Sequence, residues 1–284
     1  IIAGYDLKYD PRGALIKVTS FDENGNPVCG EDLIAGYEIV YDELGNQKQT
    51  KYFDEKGKPC MSDAGYARAE YMYHPENNFM LAAKYYDVSG KIISEDHSEY
   101  DEKGNVIKYY SLVDRKLKNG TNVTEKEYDA NNRLVAEWYT DLNGKKVNRQ
   151  GYSYSQLKYE YDKNGNCIVT TFWGVDGKPS VDEQNSHKRV REFDTMNRVV
   201  VEKNFNVDGK PLSGTSVNPE GRVKYDQWGN MIEVSCYDGY GNPRLTNDGF
   251  FIKKMKYDKR RNIVHEELLG VKGELVMSKN NGYA

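Results

Sequence analysis

Short runs of side-chain oxygens are the first feature of the sequence that would support chemistry. Asp162 and Asn164 are two residues apart, and Asp22, Asn24 and Asn26 follow the same spacing. Calcium-binding loops use this spacing, because successive carboxylate and amide oxygens ligate the ion. Here each run stops after one turn, and no Glu follows at the twelfth position. Since Asp and Asn are also common turn residues, we predict hairpin turns and no metal site.

The residue types used in most catalytic sites are present but scattered. The four histidines are His74, His97, His187 and His265, and they fall in different parts of the chain. The sequence has no GxxxxGKS/T, GxGxxG or GxSxG motif, so the short signatures of nucleotide binding and of serine hydrolases are missing. Pairs of carboxylates are frequent, but they belong to turn motifs. We therefore expect no catalytic residue, no cofactor, and a protein that is not an enzyme.

Four cysteines bear on zinc binding and on redox chemistry. Cys29, Cys60, Cys167 and Cys236 form no CxxC pair and no dense framework, which argues against a structural zinc site and a disulfide scaffold. Cys29 and Cys60 lie close together in the phase of the repeat described below. We expect free thiols, and a bridge between these two cysteines is the alternative.

Charge and composition exclude several classes of protein. The 284 residues include 40 basic and 44 acidic side chains, for a net charge of −4. This balance argues against nucleic-acid binding and against a polybasic membrane anchor, and no apolar run of about 18 residues is present to span a bilayer. The chain contains 24 Tyr and 26 Gly. So many aromatic residues and glycines favour a β protein with many turns over a disordered chain.

A repeat of about 32 residues organises the whole sequence. It is clearest in YDELGN, YDEKGN, YDKNGN and YDQWGN. With five weaker copies, the anchor aromatics are Tyr9, Tyr41, Tyr73, Tyr100, Tyr128, Tyr161, Phe193, Tyr225 and Tyr257. A bulky residue follows most anchors after twelve positions, as at Phe53 and Tyr85, and begins a second turn such as FDEKGKP. Gly-aromatic pairs such as Gly65–Tyr66 and Gly282–Tyr283 close the repeat.

The first turn of each repeat has a specific backbone requirement. Asp follows the anchor in eight of nine copies, and its carboxylate is expected to accept backbone N–H groups two residues on. Three residues later, Gly or Asn occupies eight of nine positions, and Arg261 is the exception. These positions are Gly13, Gly45, Asn77, Gly104, Asn132, Gly165, Asn197 and Gly229. Because Gly and Asn tolerate the left-handed backbone, we predict a positive φ there, followed by a β-bulge.

The segments beside these turns alternate between apolar and polar residues, as at Tyr37, Ile39 and Tyr41, and helical spacing is missing. The predicted fold class is all-β, with tandem antiparallel β-hairpin repeats forming an elongated solenoid or a rolled or twisted sheet. We predict a single repeat domain over residues 1–284 with about nine units. An isolated hairpin is too small to be stable, so each must pack on its neighbours.

Aromatic side chains are the candidate ligand contacts. We predict that the anchors form a shared core with their hydroxyl groups hydrogen-bonded at its margin, and the alternative is an exposed carbohydrate platform. Trp138, Trp173 and Trp228 are the candidates for stacking on a ligand. The third and fourth repeats are each about five residues short, in the stretches 92–98 and 114–122. We expect neutral loop variation there, with a notch as the alternative.

The YDxxGN repeats resemble the tyrosine-aspartate (YD) repeats of bacterial RHS-type proteins. The layout of hairpins and glycines also resembles MORN-variant repeats, and the phrase YFDxxGK is similar to repeats of choline- and glucan-binding cell-wall proteins. These resemblances cover the whole chain, although the period of about 32 residues is longer than the units usual in those families. They imply a bacterial protein located at the cell surface or secreted.

We therefore expect a non-enzymatic repeat scaffold of a bacterial surface or exported protein that mediates protein interaction. One alternative is a carbohydrate- or cell-wall-binding array that uses the repeat aromatics, and another is an RHS-like shell portion of a secreted toxin. The expected partner is a protein or a glycan, with no nucleic acid and no membrane insertion. The sequence leaves the oligomeric state open.

Overall fold

The computed structural model describes residues 1–212 and 219–279, which form 19 β-strands and one 3₁₀ turn at Lys118–Gly120. Gly282 and Tyr283, predicted to close the last repeat, lie outside the described residues. The described chain divides into two compact units. The first comprises Ile1–Lys126 with Asp141–Asn143, and the second comprises Glu127–Thr140 with the chain from Gly144 onward. The all-β prediction is confirmed, and the single domain of nine repeats stays a prediction.

The first unit is a succession of antiparallel hairpins. Its strands are β1 (Gly4–Tyr9), β2 (Leu15–Phe21), β3 (Gly36–Tyr41), β4 (Gln47–Phe53), β5 (Arg68–Tyr73), β6 (Met80–Tyr86), β7 (Ile92–Tyr100), β8 (Val106–Val113), β9 (Lys116–Leu117) and the start of β10 (Val123–Tyr128). Strands β1 to β9 pair in chain order, and β10 begins beside β8.

The second unit repeats the same arrangement. Its strands are β11 (Leu134–Thr140), β12 (Gln156–Tyr161), β13 (Cys167–Trp173), β14 (Lys188–Phe193), β15 (Val199–Phe205), β16 (Glu220–Tyr225), β17 (Met231–Tyr237), β18 (Ile252–Tyr257) and β19 (Ile263–Leu269). Each pairs antiparallel with the next along the chain. The sequence predicted either an elongated solenoid or a rolled or twisted sheet. The strand pairing within each unit is that of a sheet built from hairpins.

The first turn of each repeat has the predicted left-handed corner. In the second repeat, Gly45 has a φ of 89°, and the strand register shifts between Val40 and Tyr41 as a bulge requires. The Oδ1 atom of Asp42 accepts the N–H groups of Leu44 at 3.0 Å and Asn46 at 2.8 Å. The positive-φ corners are Gly13, Gly45, Asn78, Gly104, Asn132, Gly165, Asn197, Gly229 and Arg261. Even the exception, Arg261, adopts this conformation.

The third repeat corrects one of these predictions. Asn78, with a φ of 59°, forms the corner instead of Asn77, because this turn has one extra residue. His74 takes the place of the turn Asp, and its Nδ1 accepts the Glu76 N–H at 3.3 Å. The same extra residue shifts the second-turn aromatic, so Tyr86 ends β6 where Tyr85 was predicted.

Six anchor tyrosines connect their repeat to the one before it. The hydroxyl group of Tyr225 donates to the backbone carbonyl of Val199, the first residue of β15, at 3.0 Å. Equivalent bonds of 2.7–3.1 Å reach the first residue of β2, β4, β6, β11 and β17 from Tyr41, Tyr73, Tyr100, Tyr161 and Tyr257. The predicted hydroxyl hydrogen bond is present at these six positions. None of the nine anchors is fully buried, and Tyr9 is 56% exposed, so they do not form the predicted shared core.

Successive first turns are also tied to each other. The Arg198 guanidinium bonds Asp194 of its own turn and donates to the Asp226 carbonyl of the next turn at 3.2 Å. It also lies 4.5 Å from the centre of the Tyr225 ring. Where Asn replaces this Arg, as at Asn166, its amide bonds Asp162 and then Asn197 at 2.9 Å. The repeats are therefore joined by polar contacts at the turns as well as by strand pairing.

The two faces of the sheet differ in chemistry in the first unit. We call one the aromatic face, which carries Tyr37, Tyr52, Tyr66, Tyr71 and Tyr85. Neighbouring rings lie 4.8–6.4 Å apart along the series Tyr37, Tyr52, Tyr66 and Tyr85. Burial is the main cause that raises the pKa of Tyr52 and Tyr85 above the ordinary value. In the second unit, Tyr139, Tyr154, Leu157 and Phe172 form the equivalent core cluster.

The opposite side, which we call the charged face, carries both basic and acidic residues. In the first unit it carries Lys17, Glu38, Lys51, Glu70, Lys84 and Glu95, and in the second Lys158, Arg222, Lys224 and Glu233. Lys17 pairs with Glu38 at 2.8 Å, and Lys224 pairs with Glu233 at 2.8 Å. Such cross-strand pairs favour strand register while keeping this side solvated.

Candidate functional site

The second-turn aromatics lie on the charged face and are covered by basic side chains. Arg68 lies 3.8 Å from the centre of the Tyr86 ring, and Arg222 lies 3.8 Å from the centre of the Tyr237 ring. Lys17 covers Phe53 at 4.7 Å in the same way. A cation over the face of a ring is attracted to it and also shields that face from other ligands. These aromatics are therefore engaged by the protein itself.

The structure places two of the three predicted tryptophans in one row. Trp138 on β11 is directly opposite Gln156 on β12, which is directly opposite Trp173 on β13. Residues opposite each other across neighbouring strands lie on the same side of a sheet. Trp138 and Trp173 are both half-buried, and two strand spacings separate them by about 9–10 Å. The row lies on the charged face of the second unit.

The surroundings of Trp173 fix its ring. Its Nε1 donates to the Thr171 hydroxyl at 2.8 Å, and the Lys158 ammonium lies 4.9 Å from the ring centre. His187 meets the ring edge-on at 5.3 Å. The His187 Nδ1 lies 2.8 Å from the Phe172 carbonyl, which only accepts, so this nitrogen carries the proton.

Trp228 is separate from that row. It stands at the tip of the first turn of its repeat, where its backbone N–H donates to the Asp226 carboxylate at 2.9 Å. Its side chain is 64% exposed. A single indole at a turn tip has no second aromatic of the predicted set beside it, so the three tryptophans do not form one platform.

The remaining predicted side chains have local roles. The His97 ring stacks on Tyr110 at 4.7 Å, and His265 lies 3.6 Å from Glu267. The carboxylates of the runs considered for calcium accept backbone N–H groups, as Asp22 does from Asn24 and Asn26 at 2.9 and 2.8 Å. All four cysteines are free thiols.

The third and fourth repeats carry two cavities in the first unit, and one of them lies at the shortened stretches. Here a tight turn joins β6 directly to β7. In the regular repeats a longer loop, which we call the excursion, connects the second turn to the next strand, and β7 extends over nine residues in its place. One cavity of about 480 Å³ lies beside this turn, where Lys91 pairs with Asp114 at 3.2 Å. The sequence feature that indicated this cavity was the shorter spacing between the anchors Tyr73, Tyr100 and Tyr128.

The second cavity, which we call the acidic notch, measures about 610 Å³. Its lining includes Glu76, Phe79, Glu99, Tyr100 and Glu102. The Phe79 and Tyr100 rings stack at 4.9 Å, and Lys108 pairs with Glu99 at 3.3 Å. Cavities of comparable size also lie over regular repeats, one of about 470 Å³ over β3 to β6. The notch differs from that cavity in its excess of carboxylates.

Among the described residues, no helix has the length and apolarity needed to cross a bilayer. No protein-family model matches the sequence, and no curated protein matches it. The comparison with solved structures does return matches. One is the TcdB2–TccC3–TEV crystal structure, at 14% identity and a TM-score of 0.46, covering 94% of this chain.

Further matches have lower TM-scores. The Photorhabdus luminescens Tc holotoxin pore matches at 14% identity and 0.33 over 93% of this chain. A porin-like protein from Bacteroides uniformis matches at 11% identity and 0.25, covering 69% of this chain and 85% of that one. The chain spans 12% of the length of the TcdB2–TccC3–TEV chain and 17% of the holotoxin chain.

Proposed function

We propose that this chain is a non-enzymatic repeat scaffold of a bacterial surface or exported protein, and that it binds a protein partner through the acidic notch. The observation that carries the proposal is the break in the repeat. The first turn of the third repeat has one extra residue, and next to it Glu76, Glu99 and Glu102 line a cavity with the stacked rings of Phe79 and Tyr100.

The chemistry of the notch favours a basic partner segment. Its carboxylates attract Lys or Arg side chains, and the half-buried rings of Phe79 and Tyr100 add contact area for the aliphatic stems of those side chains. Lys108 pairs with Glu99 at 3.3 Å and so offsets one of these carboxylates.

A matched pair of charge reversals tests this function. Glu102 and Glu43 both follow the turn Asp of their repeats, but Glu102 lines the notch and Glu43 lies in a regular repeat. We expect Glu102→Lys to weaken capture of the partner from bacterial surface extracts at least tenfold. Glu43→Lys should leave capture unchanged. Equal capture by both variants, or no saturable partner, would refute the proposal.

A carbohydrate-binding array is the second candidate, and the row of Trp138, Gln156 and Trp173 favours it. Two indoles on one side of a sheet, with an amide between them, combine a stacking surface with a hydrogen-bonding group for a sugar. A glycan array would test this. Binding should be lost in Trp138→Ala and kept in Trp228→Ala, and the absence of any glycan hit would remove this candidate.

The third candidate is an RHS-like shell portion of a secreted toxin. The YDxxGN repeats and the contrast between an aromatic face and a charged face favour it, because a shell needs an inner and an outer surface of different character. Electron microscopy of the full-length protein that contains this chain should then show a closed hollow shell. An open or solid particle would count against it.

A further inference from the structure

Cys29 and Cys60 occupy matching segments in the first and second repeats. Pro27 bridges to Phe21 and Pro59 bridges to Phe53, so each second turn folds back on its own strand. Just beyond these bridges, the Cys60 N–H donates to the Tyr52 carbonyl at 3.2 Å. Both thiols therefore stand at the start of the excursion that leads to the next strand.

The two excursions touch each other. The Asp63 N–H of the second donates to the Asp32 carbonyl of the first at 3.1 Å. The Cys60 Sγ lies 3.9 Å from the Leu33 carbonyl, and the Glu55 carboxylate lies 3.4 Å from the Cys29 N–H. Cys60 thus faces the short loop that begins at Cys29, and a side chain of the second repeat reaches the Cys29 backbone.

That loop is closed by hydrogen bonds between its own backbone groups. The Leu33 N–H donates to the Gly30 carbonyl at 3.1 Å, and the Gly30 N–H donates to the Ile34 carbonyl at 3.0 Å. Gly30 is the direct neighbour of Cys29, and Leu33 is the residue that Cys60 contacts. The chain from Cys29 to the Leu33 carbonyl that Cys60 contacts is therefore a short loop with its own hydrogen bonds.

The reactivity of the pair follows from its surroundings. Cys29 and Cys60 are both partly exposed, whereas Cys236 is only 5% exposed. Burial is the main cause that raises the pKa of Cys60, and the Cys29 thiol adds to it. Burial, followed by the Glu55 carboxylate, raises the pKa of Cys29. Since the thiolate is the attacking species, disulfide exchange should be slow at neutral pH and faster at alkaline pH.

We propose that Cys29 and Cys60 are a disulfide-forming pair that links the first and second repeats when the protein meets a low-molecular-weight disulfide such as oxidised glutathione. One thiolate attacks the small disulfide, forms a mixed disulfide and releases one reduced thiol. The thiolate of the second cysteine then attacks the cysteine sulfur of the mixed disulfide and releases the remaining half of the small disulfide as a thiol. Two protein thiols are oxidised, one small disulfide is reduced to two thiols, and the protons pass to those thiols. This inference does not depend on the proposed function.

The cross-link would restrict the unfolded chain. It would enclose the segment from residue 29 to residue 60, which contains the whole hairpin of β3 and β4. A ring of this size lowers the conformational entropy of the unfolded state. We therefore expect the oxidised protein to melt several degrees above the reduced protein, and we expect Cys29→Ser to lose that difference.

Oxidation followed by peptide mapping under non-reducing conditions tests the proposal. After incubation of the chain with oxidised glutathione, two of the four thiols should resist alkylation, and a peptide joining Cys29 to Cys60 should be recovered. Formation should be faster at pH 9 than at pH 7. Cys167→Ser is the matched control, which should form the same cross-link, and circular dichroism checks that each variant is folded.

Two results would overturn the inference. One is a wild-type protein in which all four thiols remain open to alkylation after oxidation at both pH values. The other is a protein that carries stable glutathione adducts on Cys29 and Cys60 with no peptide joining them. Dilution of the protein distinguishes a link within one chain from a link between two, and a link only between chains also contradicts the proposal.

Discussion

The hydroxyl group of Tyr225 offers a direct test of how one repeat holds the next. In Tyr225→Phe the ring and its contact with Arg198 remain, and only the hydrogen bond to the Val199 carbonyl is lost. A hydrogen bond of this kind contributes about 0.5–1.5 kcal/mol to stability. We expect the free energy of unfolding to fall by about 1 kcal/mol.

Phe193 allows the reverse experiment, because it is the one anchor without a hydroxyl group. By the spacing of the other anchors, a hydroxyl there would reach the carbonyl of Cys167, the first residue of β13. We expect Phe193→Tyr to stabilise the protein by up to about 1 kcal/mol, and the double variant Phe193→Tyr with Tyr225→Phe to lie near the wild type.

Urea unfolding and thermal melting measure both effects, with about 2–4 °C expected per kcal/mol in a domain of 150–250 residues. Tyr240→Phe is the control, since Tyr240 is 72% exposed and should change neither measurement. Hydrogen exchange should show the loss in Tyr225→Phe first at β15 and β16. If Tyr225→Phe matches the wild type and Phe193→Tyr brings no gain, the anchor bond does not join the repeats.

The other predictions concern the turns and the tyrosines. Arg261 has a φ of 67°, so Arg261→Gly should raise the free energy of unfolding by about 1 kcal/mol, and Gly165→Ala, where a Cβ meets no atom within 4 Å, should lower it by about 1–2 kcal/mol through the backbone alone. Urea titration measures both, and equal stability of all three proteins would contradict the left-handed corner. Burial, with the Glu70 hydrogen bond adding to it, raises the pKa of Tyr86 to about 12, so its contribution of about 2–3 kcal/mol is present below pH 10 and is lost as the pH rises towards 12. Alkaline titration of phenolate absorbance should show delayed, cooperative ionisation, which Tyr86→Phe reduces; free ionisation near pH 10 would refute it. The Asn166 hydrogen bonds lower the pKa of Asp162, so its stabilisation is present above the ordinary pKa of about 3.9 and is lost as the pH falls through the lower folded value. Acid unfolding should therefore be less steep in Asp162→Ala, and an unchanged acid transition would argue against this role.

The sequence was sufficient for the architecture because turn chemistry is local. An Asp after the anchor and a Gly or Asn three residues later specify the corner without any tertiary contact, and the corner specifies a hairpin. Arg261 shows the strength of this constraint, because it takes a left-handed conformation in a place where its own type disfavours it. The one extra residue before Phe79 was missed because Asn77 and Asn78 both suit the corner.

The sequence was less informative about which residues meet across repeats. The partner of each anchor hydroxyl is a backbone carbonyl. Every residue type has one, so the residue type at the partner position does not reveal the bond. The row of Trp138, Gln156 and Trp173 depends on strand register, which is set by two different turns and by the excursion between them. The acidic notch lies at the first turns of the third and fourth repeats, outside the stretches 92–98 and 114–122 where a notch was the alternative, so its place was not predicted.

Backbone φ angles at the nine corners, measured by NMR couplings in the intact chain, test the central claim most directly. We expect positive values at all nine, including Arg261, and at Asn78 in place of Asn77. Negative φ values at several of these residues would mean that the nine segments do not share one hairpin turn, and the repeat architecture would be wrong.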